Sequence, residues 1–568
     1  MLAPEPPKCG TNISACASEL TGRSQIISTS ASPRHSTPSD AVGNSAFTSG
    51  HHIRRYAPTL VAALLAAAYL IVQPSGSDLP AQLLRVKLFG AQGFGIWNNW
   101  WYGGHYLLGY SVLFGPLGWL LGARLLGALA SIGTAAAFAA LAFDVYGEDA
   151  WLGATWLGGA TVTELLSGRL TFALGLCFAA LTALFLERRQ PRWAAVSGIA
   201  TALASPVAGL AVVLAGAAVG WHGLKARFRS DIASGIAAIS IQILLLGAAT
   251  LAFPTGGYQP FAFGALWPLL VAAALIVALR PGAVITTAAL LYGAGCLVAY
   301  AIHTPIGGNA TRLGDLIAGP LVALVLVPRR AWLLLGLAAL PLTYLQAHDA
   351  VTDLAHGTPD RGGAYYRPLI GFLRSRPGVW RVEVPATAGH WESYWLGSRL
   401  PLARGWERQS DIAENALFYE PGLTAARYES WLHALAVRYV AVADAPADYS
   451  ARAELRLIRG GLPYLRVVRR LPHWTVYAVS DPTPLASGGG RVVSLGPSSV
   501  RLAVAARGNI YLRVRWSPYW QLDGVRGCVA AAGQFTRIHA DAPGRARLTM
   551  SFAIGRIASR SARCNSGG

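Results

Sequence analysis

Tyr56-Ala-Pro-Thr-Leu-Val-Ala-Ala-Leu-Leu-Ala-Ala-Ala-Tyr-Leu-Ile-Val72, followed closely by Pro74-Ser-Gly-Ser-Asp-Leu-Pro80, decides how this chain is to be read. The first stretch is apolar over nearly the ~20 residues a helix needs to cross a hydrocarbon core. No small-residue cleavage site is visible, so the segment is expected to persist as a helix and not to be removed as a signal peptide. Asp78 then stands just beyond its end. A carboxylate at a membrane surface, followed by the aromatic run Trp97-Asn-Asn-Trp-Trp-Tyr-Gly-Gly-His105, points to chemistry at the outer face.

Composition agrees with a membrane chain. Of 568 residues, 53% are hydrophobic and 13% charged, against about 25% charged in a soluble domain. Further apolar segments lie at 125–142, 150–166, 170–186, 193–204, 207–221, 232–252, 264–279, 283–302, 313–327 and 331–347. With the first, they give about eleven expected spans of a multi-pass domain over 51–347. Ser205-Pro206 breaks the 193–221 stretch into two short halves. Residues 1–50 are rich in Ser, Thr, Pro and Ala without an apolar period, and are expected to form a disordered tail. The net charge of +20 raises nucleic acid as a partner. The charges flank apolar spans and no basic helix or nucleic-acid motif is present, so no nucleic acid is expected.

Orientation follows from the basic residues. Arg54, Arg55, Arg188, Arg189, Arg192, Lys225, Arg227, Arg229, Arg280, Arg329 and Arg330 fall on one side if the spans alternate. Arg85, Lys87, Arg124, Arg169 and Arg312 fall on the other. The positive-inside rule makes the larger set cytoplasmic. The expectation is a plasma (inner) membrane protein with a cytoplasmic N-terminus and residues 348–568 outside. Of the acids between Tyr56 and Gln346, Asp78, Glu164 and Asp315 sit at outer helix ends. An acid near the membrane core costs about 2.5–3.5 kcal/mol on insertion scales, so such a residue faces a cavity or a partner. Glu164 shares the motif Glu-Leu-Leu-Ser-Gly-Arg169, and Asp315 the motif Asn309-Ala-Thr-Arg-Leu-Gly-Asp315.

The first outer loop, 74–124, is long. Leu79-Pro-Ala-Gln-Leu-Leu-Arg-Val-Lys-Leu-Phe89 reads as an amphipathic interfacial helix. Trp97, Trp100, Trp101 and Tyr102 suit either a headgroup-level aromatic belt or a wall that binds sugar or lipid. Gly103-Gly104 permits a tight turn presenting His105. Tyr110–Pro116 opens an apolar stretch expected to be re-entrant or interfacial.

Beyond 347 the composition changes. Residues 348–482 read as an α+β module with strands at Val379–Val384, Arg438–Ala443 and Trp474–Val479 and a helix over Leu423–Ala434. Residues 483–568 read as a small β-sandwich and tail, with strands at Val500–Val504 and Ile510–Arg515. Arg404-Gly-Trp-Glu-Arg-Gln409 is a dense polar and aromatic cluster, either a loop facing the membrane site or a salt-bridged structural turn. Cys528 and Cys564 can pair if this region is outside the cytoplasm, while Cys177 and Cys296 fall in apolar spans as packing residues. No cysteine has metal-ligand spacing.

An Asp after the first span, a long first outer loop with an interfacial helix and a Trp-Tyr-Gly-Gly element, about eleven spans and a large outer C-terminal region resemble the GT-C superfamily of integral-membrane glycosyltransferases. Asp78-Leu-Pro-Ala-Gln82, Trp101-Tyr-Gly-Gly104, Ser167-Gly-Arg-Leu-Thr-Phe172 and Arg404–Gln409 look like those of actinobacterial multi-pass membrane proteins of that group. The resemblance covers roughly residues 56–480. It implies a GT-C-like helical domain followed by an extracytoplasmic α+β and β-sandwich region. It also implies a polyprenyl-phosphate-linked sugar donor and an envelope glycan or protein acceptor among membrane lipids. Asp78 maps to the catalytic carboxylate and Glu164 to its assisting acid. Where relatives carry a His four residues after the Asp, this chain has Gln82, so the resemblance supplies no metal ligand there and a divalent metal is not supported. A lipid-phosphate leaving group needs positive charge, which makes Arg169 and Arg312 candidate phosphate clamps. Trp101, Tyr102 and His105 are candidate substrate-binding residues. Two other readings fit the spans: a multi-pass transporter, against which no internal repeat of the hydropathy pattern is visible, and a non-catalytic envelope assembly protein.

Overall fold

The computed structural model describes residues 38–355, 359–558 and 564, with side chains from residue 53 onward. Apart from the backbone of residues 38–52, everything below lies within the compact unit Ile53–Gly568. The expected disordered tail falls outside the described residues up to 37, and from Pro38 the backbone is helical and runs into the first apolar segment.

Every expected apolar segment is helical. Seven helical runs among the described residues are long and apolar enough to cross a membrane. One of these, Ala123–Leu166, holds two expected segments joined by a 3-10 turn at Gly147–Ala150. The expected eleven is not reached on that criterion, for physical reasons. Pro191–Ala204 has 14 residues and Phe263–Leu279 has 17. Trp332–Ala355 is long enough at 24 residues, but its C-terminal part carries Gln346, His348, Asp349 and Asp353. The break at Ser205 is real: proline 206 begins a new helix, Pro206–Ala226, and the Ser205 hydroxyl caps it by accepting from the Ala208 N–H at 3.4 Å.

In the first loop, Leu79–Gln92 is a helix with Leu79, Leu84 and Leu88 buried. Phe114–Leu121 packs on it through Gly115 and Gly118, where an added Cβ would meet Phe89 and Val86. Trp119 and Leu120 of that short helix stay exposed, as an interfacial element requires.

The C-terminal region carries three β-layers. A mixed sheet orders Arg381–Glu383, Val437–Ala443, Trp474–Val479 and Leu465–Leu471, the first pair parallel and the rest antiparallel. Helix Gly363–Arg374 buries Tyr366, Leu369 and Leu373 on one face against Val382, Tyr439 and Val476. Helices Ala425–Ala434 and Arg452–Arg459 cover the other through Tyr428, Leu432 and Ile458. Two antiparallel four-stranded sheets built from strands between Ala486 and Met550 share a core of Val500, Leu502, Ile510, Leu512, Ile538 and Leu548. Their strands alternate buried and exposed residues, as the period of two demands. Cys528 and Cys564 form a disulfide that ties the tail to a strand of this sandwich.

The aromatic loop departs from expectation. Trp97 and Trp101 are 2% exposed and Tyr102 is fully buried, so these rings form neither a headgroup belt nor an open wall. The reason is polar as well as apolar. Trp100 Nε1 donates to the Leu495 carbonyl at 3.0 Å and Trp101 Nε1 to the Ser393 carbonyl at 3.3 Å. Buried indoles need such partners, and the C-terminal modules supply them. The short hairpin of Trp97–Asn98 and His105–Tyr106 turns at Gly103 and Gly104. At Gly104 an added Cβ would lie 2.3 Å from the Trp97 ring.

Candidate active site

Asp78 is the N-cap residue of Leu79–Gln92. Its own N–H donates to the Ser167 carbonyl at 3.2 Å, which fixes it beside the Ser167-Gly168-Arg169 turn. Gly168 has φ +76, and a Cβ there would sit 2.5 Å from the Leu79 nitrogen. A glycine is therefore what allows the two segments to touch.

Two guanidinium groups face the Asp78 carboxylate. Arg312 Nη2 is 3.4 Å from Oδ2 and Arg169 Nε is 3.8 Å from the same oxygen. Arg169 Nη2 also donates to Asp349 Oδ2 at 2.6 Å. All are partly open, with 26% of the Asp78 side chain, 19% of Arg169 and 13% of Arg312 exposed. Arginine suits this position, because its planar fork can bridge two acids or hold a phosphate in the same plane.

Glu164 approaches from the other side. It is buried, and its Oε2 has no hydrogen-bond partner. With Ser167, Arg169, Asp315 and Asp349 it surrounds a small void. Asp78, Glu164 and Asp349 all act electrostatically on Arg169. The two carboxylates singled out from sequence thus share one arginine, although they are distant along the chain. Asp315 joins the group from the Thr311–Leu326 helix.

Below the arginines opens a cavity of about 710 Å³. Arg169, Arg312, Asp315, His348 and Asp349 form its polar end. Trp267, Val271, Leu275, Leu342 and Leu345 form its apolar walls, on the Phe263–Leu279 and Trp332–Ala355 helices. Neither Asp78 nor Glu164 lines this cavity; they stand behind the guanidinium groups that do.

Sequence reasoning missed Asp349 and Asp353. Ser77 Oγ donates to Asp353 Oδ2 at 3.2 Å, and burial followed by the Asp78 charge raises the Asp353 carboxyl to about 6. The available signal was their i, i+4 spacing on the last turns of an apolar helix, which places both on one face.

The Arg404–Gln409 cluster is both things expected of it. Arg404 donates to Asp411 at 3.2 and 2.5 Å, and Arg408 to Asp448 at 2.9 and 2.8 Å, which makes a buried salt-bridged turn. Between them, Trp406 Nε1 donates to the Ser77 carbonyl at 3.0 Å and Glu407 pairs with Arg85. The turn thus presses on the residue next to Asp78.

Trp101, Tyr102 and His105 are not brought to this site. His105 stacks on Trp101 with ring centroids 5.5 Å apart, and burial, against the Glu407 charge, lowers its pKa to about 4. It is a neutral ring in the junction between the first loop and the C-terminal modules. Among the described residues no three His, Cys, Asp or Glu side chains gather in a way that could hold a metal ion. The positive charge facing Asp78 comes from arginines.

No family model matches the sequence, and no curated protein matches it. Among solved structures, it is similar to ArnT from Cupriavidus metallidurans in the apo state, at 14% identity and a TM-score of 0.38 over 73% of this chain and 97% of that one. The same protein bound to undecaprenyl phosphate gives 14% identity and a TM-score of 0.39 over the same shares. At that distance the likeness assigns no residue of this chain a role.

Proposed function

We propose that this chain is a membrane glycosyltransferase of the GT-C kind, moving a sugar from a polyprenyl-phosphate donor to an acceptor at the outer face of the inner membrane. The observation that carries the reading is the pair of guanidinium groups of Arg169 and Arg312, backed by Asp78, at the polar end of a largely apolar cavity within the helical domain. A ligand that fits both ends has an anionic head and a long apolar tail. Such a phosphate would compete with Asp78 for the guanidinium groups, since charge-assisted bonds to phosphate are bidentate and strong. The carboxylate it displaces would be free to accept a proton from an acceptor hydroxyl, the work of a general base. The departing phosphate would stay on the arginines, which neutralise the charge that develops as the glycosidic bond breaks. Glu164, behind Arg169, would hold that side chain in place.

The topology belongs to the same reading: N-terminus cytoplasmic, C-terminal modules outside. The test is photolabelling of the protein in lipid nanodiscs with a diazirine-bearing polyprenyl phosphate. Labels are expected on Phe263–Leu279 and Trp332–Ala355, and Arg169→Ala with Arg312→Ala together should reduce them at least about tenfold, the loss of charge-assisted hydrogen bonds. Labelling spread over all lipid-facing helices and indifferent to the arginines would contradict it.

A further inference from the structure

A second cavity, of about 490 Å³, shares a wall with the first. The connection after Arg229–Ala252 serves both: Pro254, Thr255 and Gly256 line the second cavity, while Gln259, Pro260 and Phe261 line the first. The volume lies in the range of small-molecule sites, about 300–1,000 Å³.

The chemistry of the second cavity differs from that of the first. Its aromatic lining is Trp97, His105, Tyr106, Trp516 and Tyr519. Its polar lining includes Ser410, Glu414, Arg515 and Gln534. The charges cancel locally: Arg515 Nη1 is 2.5 Å from Glu414 Oε2 and donates to Gln534 Oε1 at 2.6 Å, and its Nε donates to the Tyr102 carbonyl at 2.7 Å. The guanidinium is already committed, so this is no anion site. Glu414 and Trp516 remain partly open and Gln534 is exposed. Neutral polar groups beside aromatic rings suit a ligand that is uncharged, rich in hydroxyls and flat on one apolar face. That description is a sugar ring: its C–H face is removed from water against an aromatic, and its hydroxyls pair with carboxylate and amide oxygens.

One short helix couples this cavity to the candidate active site. Ser410 and Glu414 lie on Arg408–Glu414. The residues just before it bond Ser77 and Arg85, and Gln409 donates to the Pro305 carbonyl at 3.4 Å, in the turn that leads to the Arg312 helix. The tail closes another wall with Ile557, between the sandwich and Cys564, whose disulfide returns the chain to Cys528.

We propose that this cavity binds a neutral saccharide, one or two rings of a glycan, through Trp516, Glu414 and Gln534. That the saccharide is the acceptor rests on the glycosyltransferase reading; that it binds here does not. The experiment uses full-length protein in nanodiscs without any donor lipid, titrated with cellobiose, α-1,6-mannobiose and α-1,5-arabinobiose and followed by saturation-transfer-difference NMR. At least one disaccharide is expected to give a saturable signal. Glu414→Gln and Trp516→Ala should each weaken it tenfold or more, and Arg466→Ala, at an exposed position that lines neither cavity, should leave it unchanged. Gln534→Ala, at an exposed position, serves as a further variant should Trp516→Ala fail to fold. No saturable signal with any of the three, or equal binding by the folded variants, overturns the site, as does preference for inorganic phosphate. Transfer activity without saccharide binding would remove this site and leave the transferase. Saccharide binding in a protein that transfers nothing would do the reverse.

Discussion

Asp78 faces two guanidinium groups, and they differ in what else they pair with. Arg169 is shared with Asp349, whereas the ion pair Arg312 makes is to Asp78 alone among the described residues. Arg312→Gln is therefore expected to raise the KM for a polyprenyl-phosphate donor by about 10-fold or more, the worth of a charge-assisted hydrogen bond, with a smaller effect on kcat. Steady-state kinetics in detergent check it, and an unchanged KM would remove Arg312 from donor binding. A second residue-scale prediction concerns pH. Thr387 Oγ1 lies 2.7 Å from Asp360 Oδ2 and 2.7 Å from Glu392 Oε2. A hydroxyl has one proton to donate, so one of the two acids must supply its own. Burial, then the Asp360 charge, push Glu392 up from 4.5 to about 8, which names the donor. The folded state then holds a proton that the unfolded state releases, so the contribution of Glu392 to stability should fall as pH rises from about 5 to about 8. Thermal midpoints over that range should therefore drop by less, relative to the unaltered chain, in Glu392→Gln. Asp78, Glu164, Arg169 and Arg312 were legible in the sequence because charge beside apolar spans is costly and stands out. Asp349 and Asp353 were not, because they follow the last apolar run, where polar composition hides two more acids. Trp101 and Tyr102 lie away from the arginines, and His105 lines the second cavity instead of the first, because an aromatic cluster in a loop reads alike whether it meets lipid, ligand or another domain.

At the scale of elements, the 253–262 connection holds the membrane helices to the C-terminal region. Gln259 N–H donates to the Thr304 carbonyl at 3.0 Å. Gly257 has φ +89, and a Cβ there would lie 1.8 Å from the Gln409 carbonyl oxygen. Gly257→Ala should therefore dislodge the connection, adding about 1–2 kcal/mol of left-handed strain to the clash. Faster limited proteolysis within 253–262 and loss of activity are expected. Gly371→Ala, at an exposed helical position with open space around it, is the control and should do neither. Trp406→Ala removes the contact to Ser77 and a buried ring, with an expected loss of about 3–5 kcal/mol measured by chemical denaturation. The strands and helices of the C-terminal region were readable from alternation, and the observed bounds lie within two residues of those expected at Val379–Val384, Arg438–Ala443 and Leu423–Ala434. What alternation cannot carry is which loop each module grips.

For the whole molecule, the sequence pattern conveyed a helical membrane region followed by α+β and β layers, but not the cavities, which depend on how short helices such as Phe263–Leu279 lean on their neighbours. The proposed orientation has a direct check. With the free cysteines replaced, a membrane-impermeant maleimide should label Arg466→Cys in intact cells and leave Arg330→Cys unlabelled until the membrane is opened. Both positions are exposed, so the reverse pattern would invert the topology and move Asp78 to the cytoplasmic side. The chemistry itself is tested most directly by sugar transfer in proteoliposomes from a radiolabelled polyprenyl-phosphate sugar, comparing the unaltered chain with Asp78→Asn at equal folded amounts. The unaltered protein should transfer label to extracted envelope glycan or protein, and Asp78→Asn should lower the rate by about 10²–10⁴-fold, as loss of a general base does. Equal transfer by the two proteins would contradict the role given to Asp78.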